Sequence, residues 1–312
     1  MKDDEAKGLV LASVEPSATT NLSNRLLSSL NKIRILPRRL LLDTSGVIAA
    51  VPMLRGVWGA ALHDLDADAY GTVFAPQCAG QEEASPLFVL RAARVDPSFG
   101  SALDWILIGD ALVYDSNLRR AWEVACGMGL GPRRQRFHVR QVIPLSPDGT
   151  AAGHGDLSTS DAAAGAWSLD ACVCPVEVPA DSPCRLIFST PLRLRRRGRL
   201  IEEPTLPDLI AAATRRFRSY LPRESQAAWA EQAREALAVA RLAMVGPWRG
   251  TPSHFYRYSA RQQADLDLHG VVGSLDLPQG PGELWPLLAA AQWLHLGKST
   301  AMGLGQLCVE TL

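Results

Sequence analysis

The sequence contains one tetrapeptide, Met-Gly-Leu-Gly, twice, at residues 128–131 and 302–305. Each copy follows a stretch with helical periodicity and precedes a stretch typical of a β-strand, at residues 136–143 and 306–312. Closely spaced glycines leave backbone N–H groups uncovered and let a bulky partner approach the chain. A helix, a glycine-rich loop and a strand late in each half therefore indicate that one small α/β unit occurs twice.

The other periodic segments have the same order in both halves. In the first half they predict strands at 39–43, 87–91, 104–112 and 136–143 and helices at 53–65 and 117–125. In the second half they predict strands at 185–194, 255–258, 265–275 and 306–312 and helices at 206–221, 225–244 and 283–296. With the helix at 225–244 as an insertion, each half has the order β-α-β-β-α-β of the ferredoxin-like fold.

The sequence thus predicts an α+β fold of tandem ferredoxin-like (RRM-like) domains with a C-terminal glycine-rich loop. We place the N-terminal ferredoxin-like domain at residues 31–175 and the C-terminal one, which carries the loop, at residues 176–312. Residues 1–30 form a polar N-terminal extension with one candidate helix at 21–31.

The charges balance overall but are unevenly placed. Lysine and arginine together number 32, as do aspartate and glutamate, and only Lys2, Lys7, Lys32 and Lys298 are lysines. The planar guanidinium of arginine suits phosphate better than an ammonium does, although a GC-rich genome explains the same bias. The arginines cluster at residues 133–136, 193–199 and 215–218. A basic face on a neutral chain is the arrangement expected of a nucleic-acid-binding protein.

Several other classes of protein are disfavoured by the sequence. No segment is long and apolar enough to span a bilayer, and the acidic N-terminus has the wrong sign for a secretory signal. The six cysteines offer no CxxC pair and no matched zinc spacing. Residues 297–300, Gly-Lys-Ser-Thr, lack the earlier glycine of a P-loop, because Gln292 stands there. We therefore expect a cytoplasmic protein with no metal, no cofactor and no membrane partner.

Three segments of the second half resemble a known family. They are the loop HLGKSTAMGLG at residues 295–305, the segment RYSARQ at 257–262 and the segment TPLRL at 190–194. Together they resemble the CRISPR-associated precursor-crRNA-processing endoribonucleases, repeat-specific enzymes of the RAMP superfamily. The segment LRGVWG at 54–59 resembles the N-terminal domain of the same family. The resemblance covers residues 34–312 and is strongest from Thr190 onward.

The resemblance implies tandem ferredoxin-like domains, CRISPR repeat RNA or crRNA as the partner, and metal-independent cleavage through the 2′-hydroxyl of the RNA. Such an attack needs a base, an acid and positive charge over the phosphate, and it yields a 2′,3′-cyclic phosphate. Family members commonly carry a catalytic histidine at the end of the first helix, which is the position of His63 here. The expected RNA-binding residues are Gly297, Lys298, Ser299, Thr300, Gly303, Gly305, Arg133, Arg134, Arg193, Arg195, Arg196, Arg197, Arg257 and Arg261.

Helix geometry supports His63 independently of the resemblance. At about 100° per residue, the apolar stripe of the helix at 53–65 lies roughly opposite His63. Gly56 and Gly59 share the face of His63, which predicts an uncrowded approach for RNA. An exposed histidine without a catalytic role is the alternative.

Lys298 and the other histidines are interpreted separately. Lys298, the only lysine after Lys32, lies within the loop, which favours a phosphate contact over a solvated lysine. His295 shares the apolar stripe of the last helix, so we expect a packed or capping histidine. We assign no chemistry to His138, His154, His254 and His269.

Two further interpretations stay open. A RAMP-type subunit that binds crRNA within an effector complex, beside other CRISPR-associated subunits and without cutting, needs the glycine loop and the arginines but not His63. A ferredoxin-like metabolic enzyme needs a small-molecule site, and the arginine clusters disfavour it. Co-purifying RNA separates the metabolic enzyme from the first two, and a cleavage assay separates those two from each other.

Overall fold

The computed structural model describes residues 21–44, 49–74, 85–93, 101–151, 165–173, 181–254, 256–259 and 264–312. At residues 256–259 and 264–267 it describes the backbone alone. In chain order, the first half contains α1 (Leu22–Leu30), β1 (Arg34–Asp43), α2 (Val51–Leu65), α3 (Ala67–Phe74), β2 (Phe88–Ala92), β3 (Ser101–Ile108), α4 (Asp115–Met128), β4 (His138–Pro144) and β5 (Trp167–Ser168).

The second half repeats this arrangement with additions. Its elements are β6 (Cys184–Leu192), β7 (Arg195–Arg196), β8 (Arg199–Leu200), α5 (Leu206–Arg218), α6 (Gln226–Leu242), β9 (Arg249–Ser253), β10 (Tyr256–Ser259), β11 (Ala264–Asp267), β12 (Gly270–Leu277), α7 (Trp285–Leu294) and β13 (Leu307–Thr311).

Both main sheets have the strand order of the ferredoxin-like fold. The first sheet is ordered β2-β3-β1-β4, with β5 added beside the start of β1, and the second is ordered β13-β6-β12-β9. All pairs are antiparallel. In each sheet the first and third strands of the unit lie side by side at the centre. The predicted tandem ferredoxin-like architecture is therefore confirmed.

The predicted position of one strand of the second sheet is wrong. The sequence predicts a strand at 255–258, but its place in the sheet is taken by β9, five residues long and ending at Ser253. Residues 256–259 instead form β10, which pairs with β11 in a separate hairpin. The polar and glycine-containing sequence of β9, Arg-Gly-Thr-Pro-Ser, lacks the apolar alternation that marks a half-buried strand.

The central strands of the first sheet are buried on both faces. On β3, Trp105 and Leu107 lie in the core beneath α2 and α4, whereas Ile106 and Ile108 lie in a second core that extends into the other domain. Successive side chains of a strand point to opposite faces, so β3 contributes to both cores. The two domains consequently pack through the outer face of the first sheet.

Aromatic side chains hold α2 on the first sheet. The ring of Trp58 stacks on Trp122 of α4, with centroids 5.0 Å apart, and meets Phe88 and Trp105 edge-on at 5.1 and 5.7 Å. The indole N–H of Trp58 donates to the Leu118 carbonyl oxygen at 3.1 Å. Such pairs stabilise beyond the area they bury, which gives α2 a defined position.

The helix α1 belongs to the core of the second domain. Leu22, Leu26 and Leu30 are buried there, and the Ser29 hydroxyl lies 3.0 Å from Gln232 Oε1 of α6. The helix predicted at 21–31 is present, and its apolar residues pack in the core of the second domain. The four apolar positions Leu22, Leu26, Leu27 and Leu30 form the stripe that explains the packing.

Candidate nucleic-acid interface

A loop between α7 and β13, residues 295–306, contains the second Met-Gly-Leu-Gly segment, and we call it the glycine loop. The Leu296 N–H donates to the Gly305 carbonyl oxygen at 2.9 Å, which closes the loop on itself. The Lys298 N–H donates to the Arg193 carbonyl oxygen at 3.0 Å, and the Gly305 N–H to that of Pro191 at 3.1 Å. The loop is therefore fixed to the chain that leaves β6.

The glycines serve close packing within the protein. In the two copies the first glycines, Gly129 and Gly303, have φ of +76° and +84°, and the second, Gly131 and Gly305, both have +68°. A Cβ at Gly305 would lie 1.8 Å from the Leu296 carbonyl oxygen, a distance that no rotamer can relieve. The expectation that these glycines leave room for an outside partner is thus wrong at Gly305, where the protein's own backbone fills the space.

The two glycine-containing loops meet at the first turn of α2. A Cβ at Gly303 would lie 3.0 Å from Val51 Cγ1, and one at Gly131 would lie 3.4 Å from Met53 Cε. The repeat therefore places one loop of each domain against the same end of one helix. A ligand that contacts both loops would lie at the boundary of the two domains.

The residues of the glycine loop differ in accessibility. Lys298 is exposed, and Gly297 and Ser299 are half-buried, so these three can meet an RNA. Thr300, Gly303 and Gly305 are buried, with Thr300 at 2% exposure. RNA contact was predicted for all six residues and stays a prediction, although these three are buried within the protein as described.

Arg193 fixes the glycine loop in place rather than presenting a free charge. Its side chain is 9% exposed, its Nε donates to the His269 carbonyl oxygen at 2.7 Å, and its Nη1 donates to Ser299 Oγ at 3.1 Å. Burial, and then the positive charge of Arg195, lower the pKa of Arg193. The guanidinium thus connects the loop to β12 and adds positive potential beneath the exposed loop surface.

The arginines that follow form an exposed hairpin. β7 and β8 pair through Arg196 and Arg199, and Arg197 takes a left-handed backbone conformation in the turn between them. Arg196 pairs with Asp208, which also caps the start of α5. Arg195 and Arg197 are exposed and follow Arg193, which fixes the glycine loop. They are therefore the best candidates in this hairpin for phosphate contacts.

Replacing Arg195 and Arg197 together by alanine is expected to flatten the salt dependence of RNA binding. Each phosphate contact adds about 0.7 to the slope of log affinity against log salt on a single strand, so the double variant should lose up to about 1.4. Binding titrations at several salt concentrations, with two unrelated RNA sequences, measure this. A double variant of Arg223 and Arg234, exposed arginines at α6 outside the proposed surface, is the control. An unchanged slope in the hairpin variant would mean that these arginines are merely solvated.

The other predicted arginines lie in three places. Arg133 and Arg134 are exposed in the turn between α4 and β4, where Leu130 and Gln135 bridge the ends of the first glycine-containing loop. Arg257 lies on β10, but its side chain is outside the described residues, as is the whole of Arg261. RNA contact by these four stays a prediction.

His63 occupies the last turn of α2 and is open to solvent. Its side chain is 62% exposed, its Nδ1 lies 3.6 Å from Asp64 Oδ1, and its ring meets Tyr70 of α3 edge-on at 5.2 Å. His63 follows Val51 by twelve residues, so it lies about 18 Å along α2 from the turn that the glycine loop contacts. The structure confirms the helix-end position but does not bring His63 to the loop.

The face of α2 next to His63 is more crowded than predicted. Gly59 is buried, and a Cβ there would lie 2.8 Å from Phe74 Cε1 of α3. The guanidinium of Arg55 lies over the same ring at 5.3 Å. The prediction of an uncrowded approach along this face is therefore wrong at Gly59, because the helix α3, absent from the predicted elements, covers it.

His295 is the packed capping histidine that the sequence predicts. It has no exposed surface, it caps the C-terminus of α7, and its Nδ1 lies 3.1 Å from the Leu304 carbonyl oxygen. Burial, with the nearby charges of Arg91 and Arg216, holds its pKa well below the usual value. His295 is thus neutral at working pH and holds the glycine loop rather than transferring protons.

One contact between two histidines was not predicted from the sequence. His254 and His269, to which the sequence assigned no chemistry, have ring centroids 4.3 Å apart. The β9–β12 ladder ends at the pair Ser253–Gly270, so these two histidines are the next positions in register. They lie beside Arg193 because its Nε binds the His269 carbonyl oxygen. In the register of these pairs, position 254 lies opposite position 269, so a sequence prediction of the same register would have paired the two histidines.

Two general properties of the described residues bear on function. None of their helices is long and apolar enough to cross a membrane. Within the same part of the chain, no group of three or more histidine, cysteine, aspartate or glutamate side chains is placed to hold a metal ion.

Comparisons with known proteins agree with this architecture. Residues 186–307 match the family model of the CRISPR-associated endoribonuclease Cas6. A solved Cas6 (TTHA0078) product complex has a TM-score of 0.53 and 20% identity, over 89% of this chain and 100% of that one. Thermus thermophilus Cas6 (TTHB231) has a TM-score of 0.53 and 15% identity, over 89% and 99%. A search of curated proteins finds no match.

These comparisons have two consequences. At such low identities the solved structures show a shared fold over most of the chain. The family match covers most of β6, Arg193 and the glycine loop, and it supports an enzyme that cleaves RNA. The resemblance predicted from the sequence is therefore confirmed.

Proposed function

We propose that this Cas6-type protein binds CRISPR repeat RNA across its two glycine-containing loops and cleaves precursor crRNA without a metal ion. The observation that carries the proposal is the family match at residues 186–307, which spans the glycine loop and the strand that anchors it. The exposed arginines near the loop add a surface suited to phosphates.

In the proposed reaction, the nucleophile belongs to the RNA. The 2′-oxygen gives up its proton to a base and bonds to the adjacent phosphorus, the P–O5′ bond breaks, and an acid protonates the leaving 5′-oxygen. The products are a 2′,3′-cyclic phosphate and a free 5′-hydroxyl. The protein has to supply proton transfer and positive charge over the phosphate, which need only side chains.

We assign one proton-transfer role to His63. Imidazole is the side chain best suited to both accepting and donating a proton near neutral pH. Asp64, 3.6 Å away, and Tyr70, edge-on to the ring, restrict the orientations of this exposed imidazole. Because His63 lies about 18 Å along α2 from the turn touched by the glycine loop, an RNA that reaches both must run along the helix over several nucleotides.

Cleavage is expected to persist in excess EDTA, because the nucleophile, acid, base and electrostatic stabilisation all come from RNA and protein side chains. The assay uses a radiolabelled RNA that carries a CRISPR repeat. The upstream product should end in a 2′,3′-cyclic phosphate, which acid treatment opens and phosphatase alone does not remove. A requirement for magnesium, or an upstream product with a 3′-hydroxyl, would contradict the mechanism.

A crRNA-binding subunit that does not cut is the second candidate. It is favoured by the distance between His63 and the glycine loop, since binding at the loop needs no proton transfer. Tight, repeat-specific binding by a wild-type protein that never cuts its repeat would support this candidate.

A further inference from the structure

His254 and His269 lie where the two-stranded ribbon formed by β10 and β11 leaves the second sheet. The β9–β12 ladder ends at Ser253–Gly270, and β10 and β11 resume the same register at Tyr256–Asp267. The two rings meet edge to face, with an interplanar angle of 86°. His254 is exposed and His269 half-buried, so the pair is open to an outside ligand.

The ribbon contacts the segment that holds the glycine loop. A Cβ at Gly270 would lie 2.8 Å from the Leu192 carbonyl oxygen and 3.0 Å from Arg193 Cγ. Arg193 in turn binds the His269 carbonyl oxygen and Ser299 Oγ. The buried Arg193 therefore connects the histidine pair directly to the accessible part of the glycine loop.

Positively charged groups act on both His269 and Arg193. Partial burial, His254 and Arg193 each lower the pKa of His269. Burial and Arg195 lower the pKa of Arg193. Among the described residues, Arg193 binds the His269 carbonyl oxygen, Arg195 acts electrostatically on Arg193, and the Lys298 N–H donates to the Arg193 carbonyl oxygen. The side chains of β10 and β11, which include Arg257, Asp265 and Asp267, lie outside the described residues. An anion would relieve the repulsion among these groups.

We propose that His254 and His269 bind one phosphate of the RNA beside the glycine loop, donating hydrogen bonds to it as imidazolium groups. An imidazolium has two N–H donors and no acceptor, and bonds from a charged donor to phosphate are about twice as strong as neutral ones. The proposal rests on the proposed function, since RNA is the ligand. It adds a binding site that neither the resemblance nor the glycine loop identified.

Phosphate binding of this kind makes RNA affinity depend on pH. The bound phosphate favours the charged form of the rings, so the pKa of His269 is higher in the complex than in the free protein. The affinity that His269 adds is complete below its pKa in the free protein, which burial, His254 and Arg193 lower from the usual value. That affinity is lost as the pH rises through the pKa of His269 in the complex.

The test compares the RNA affinity of two variants of His254 at about pH 5.5 and about pH 8, on either side of the usual histidine pKa. The RNA carries a deoxyribose before the scissile phosphate, so it is not consumed. The wild type should bind about tenfold more tightly at the lower pH, one pKa unit of linkage. His254→Gln should bind weakly at both pH values, and His254→Lys should bind tightly at both. A merely structural role would weaken binding by both variants alike.

The salt dependence gives a second readout. For the wild type, the slope of log affinity against log salt should be steeper at the lower pH by about 0.7 per imidazolium on single-stranded RNA. His138→Ala, at an exposed histidine of β4 away from this surface, should keep the wild-type pH dependence.

Failure to bind repeat RNA at any pH would overturn the proposed function instead. Binding with a pH-independent slope, or slower cutting by His254→Gln with unchanged affinity, would overturn the histidine site.

Discussion

Replacing His63 by alanine should slow single-turnover cleavage of repeat RNA by about two to four orders of magnitude, the usual contribution of one acid–base group. The variant should leave the fold intact, because the side chain is 62% exposed and its described contacts are with Asp64 and Tyr70. RNA affinity should change little, since one exposed imidazole adds modestly to many arginine–phosphate contacts. Lys298→Ala should instead lower the RNA affinity more than it lowers the cleavage rate.

Rapid-quench measurements with protein in excess over RNA isolate the cleavage step. His138→Ala is the matched control, because it removes another exposed histidine of the same domain. If His63→Ala cuts at the wild-type rate, His63 has no role in the mechanism. That result would leave arginine-based electrostatics, or a group outside α2, to assist the attack.

Replacing Gly305 by alanine should lower the free energy of unfolding by roughly 2–5 kcal/mol. One part is the penalty for a left-handed alanine, and the other is an overpacked contact. Gly305 has φ +68°, and the added Cβ would lie 1.8 Å from the Leu296 carbonyl oxygen, so the backbone itself would have to move. That movement would also break the Leu296–Gly305 hydrogen bond of 2.9 Å.

Gly282→Ala separates the two contributions. Gly282 lies in the same domain with φ +52°, and nothing lies within 4 Å of a Cβ built there. It should therefore show only the backbone penalty, about 1–2 kcal/mol. Chemical denaturation of both variants and the wild type gives the comparison. Equal losses in the two variants would show that the glycine loop is not packed as described.

Periodicity and repeats predicted the elements that carry their own local signal. The first helix of the fold, α2, was predicted at 53–65 and begins two residues earlier, since Pro52 is well suited to a first turn. The two glycine-containing loops were recognised from the sequence, and the structure shows the same pair of positive φ angles in each. A position that needs glycine is visible in a sequence because few other residues tolerate it.

Contacts between distant segments were the part that could not be predicted. Nothing in Leu22–Leu30 reveals that this helix packs with α6, some 200 residues later. Arg193 reads as one of several arginines in a run, yet it is buried and fixes the glycine loop, whereas Arg195 is exposed. The covering of Gly59 by Phe74 and the pairing of His254 with His269 likewise depend on how elements pack, which local patterns do not encode.

A single deoxyribose in the RNA tests the central claim most directly. The 2′-hydroxyl immediately before the scissile phosphate is replaced by hydrogen, and cleavage and affinity are measured in EDTA. If that hydroxyl is the nucleophile, cutting at this position should stop while affinity stays within about twofold, since the phosphate contacts that dominate binding are unchanged. Continued cutting at the same bond would contradict the mechanism, because the bond would then be broken by another nucleophile.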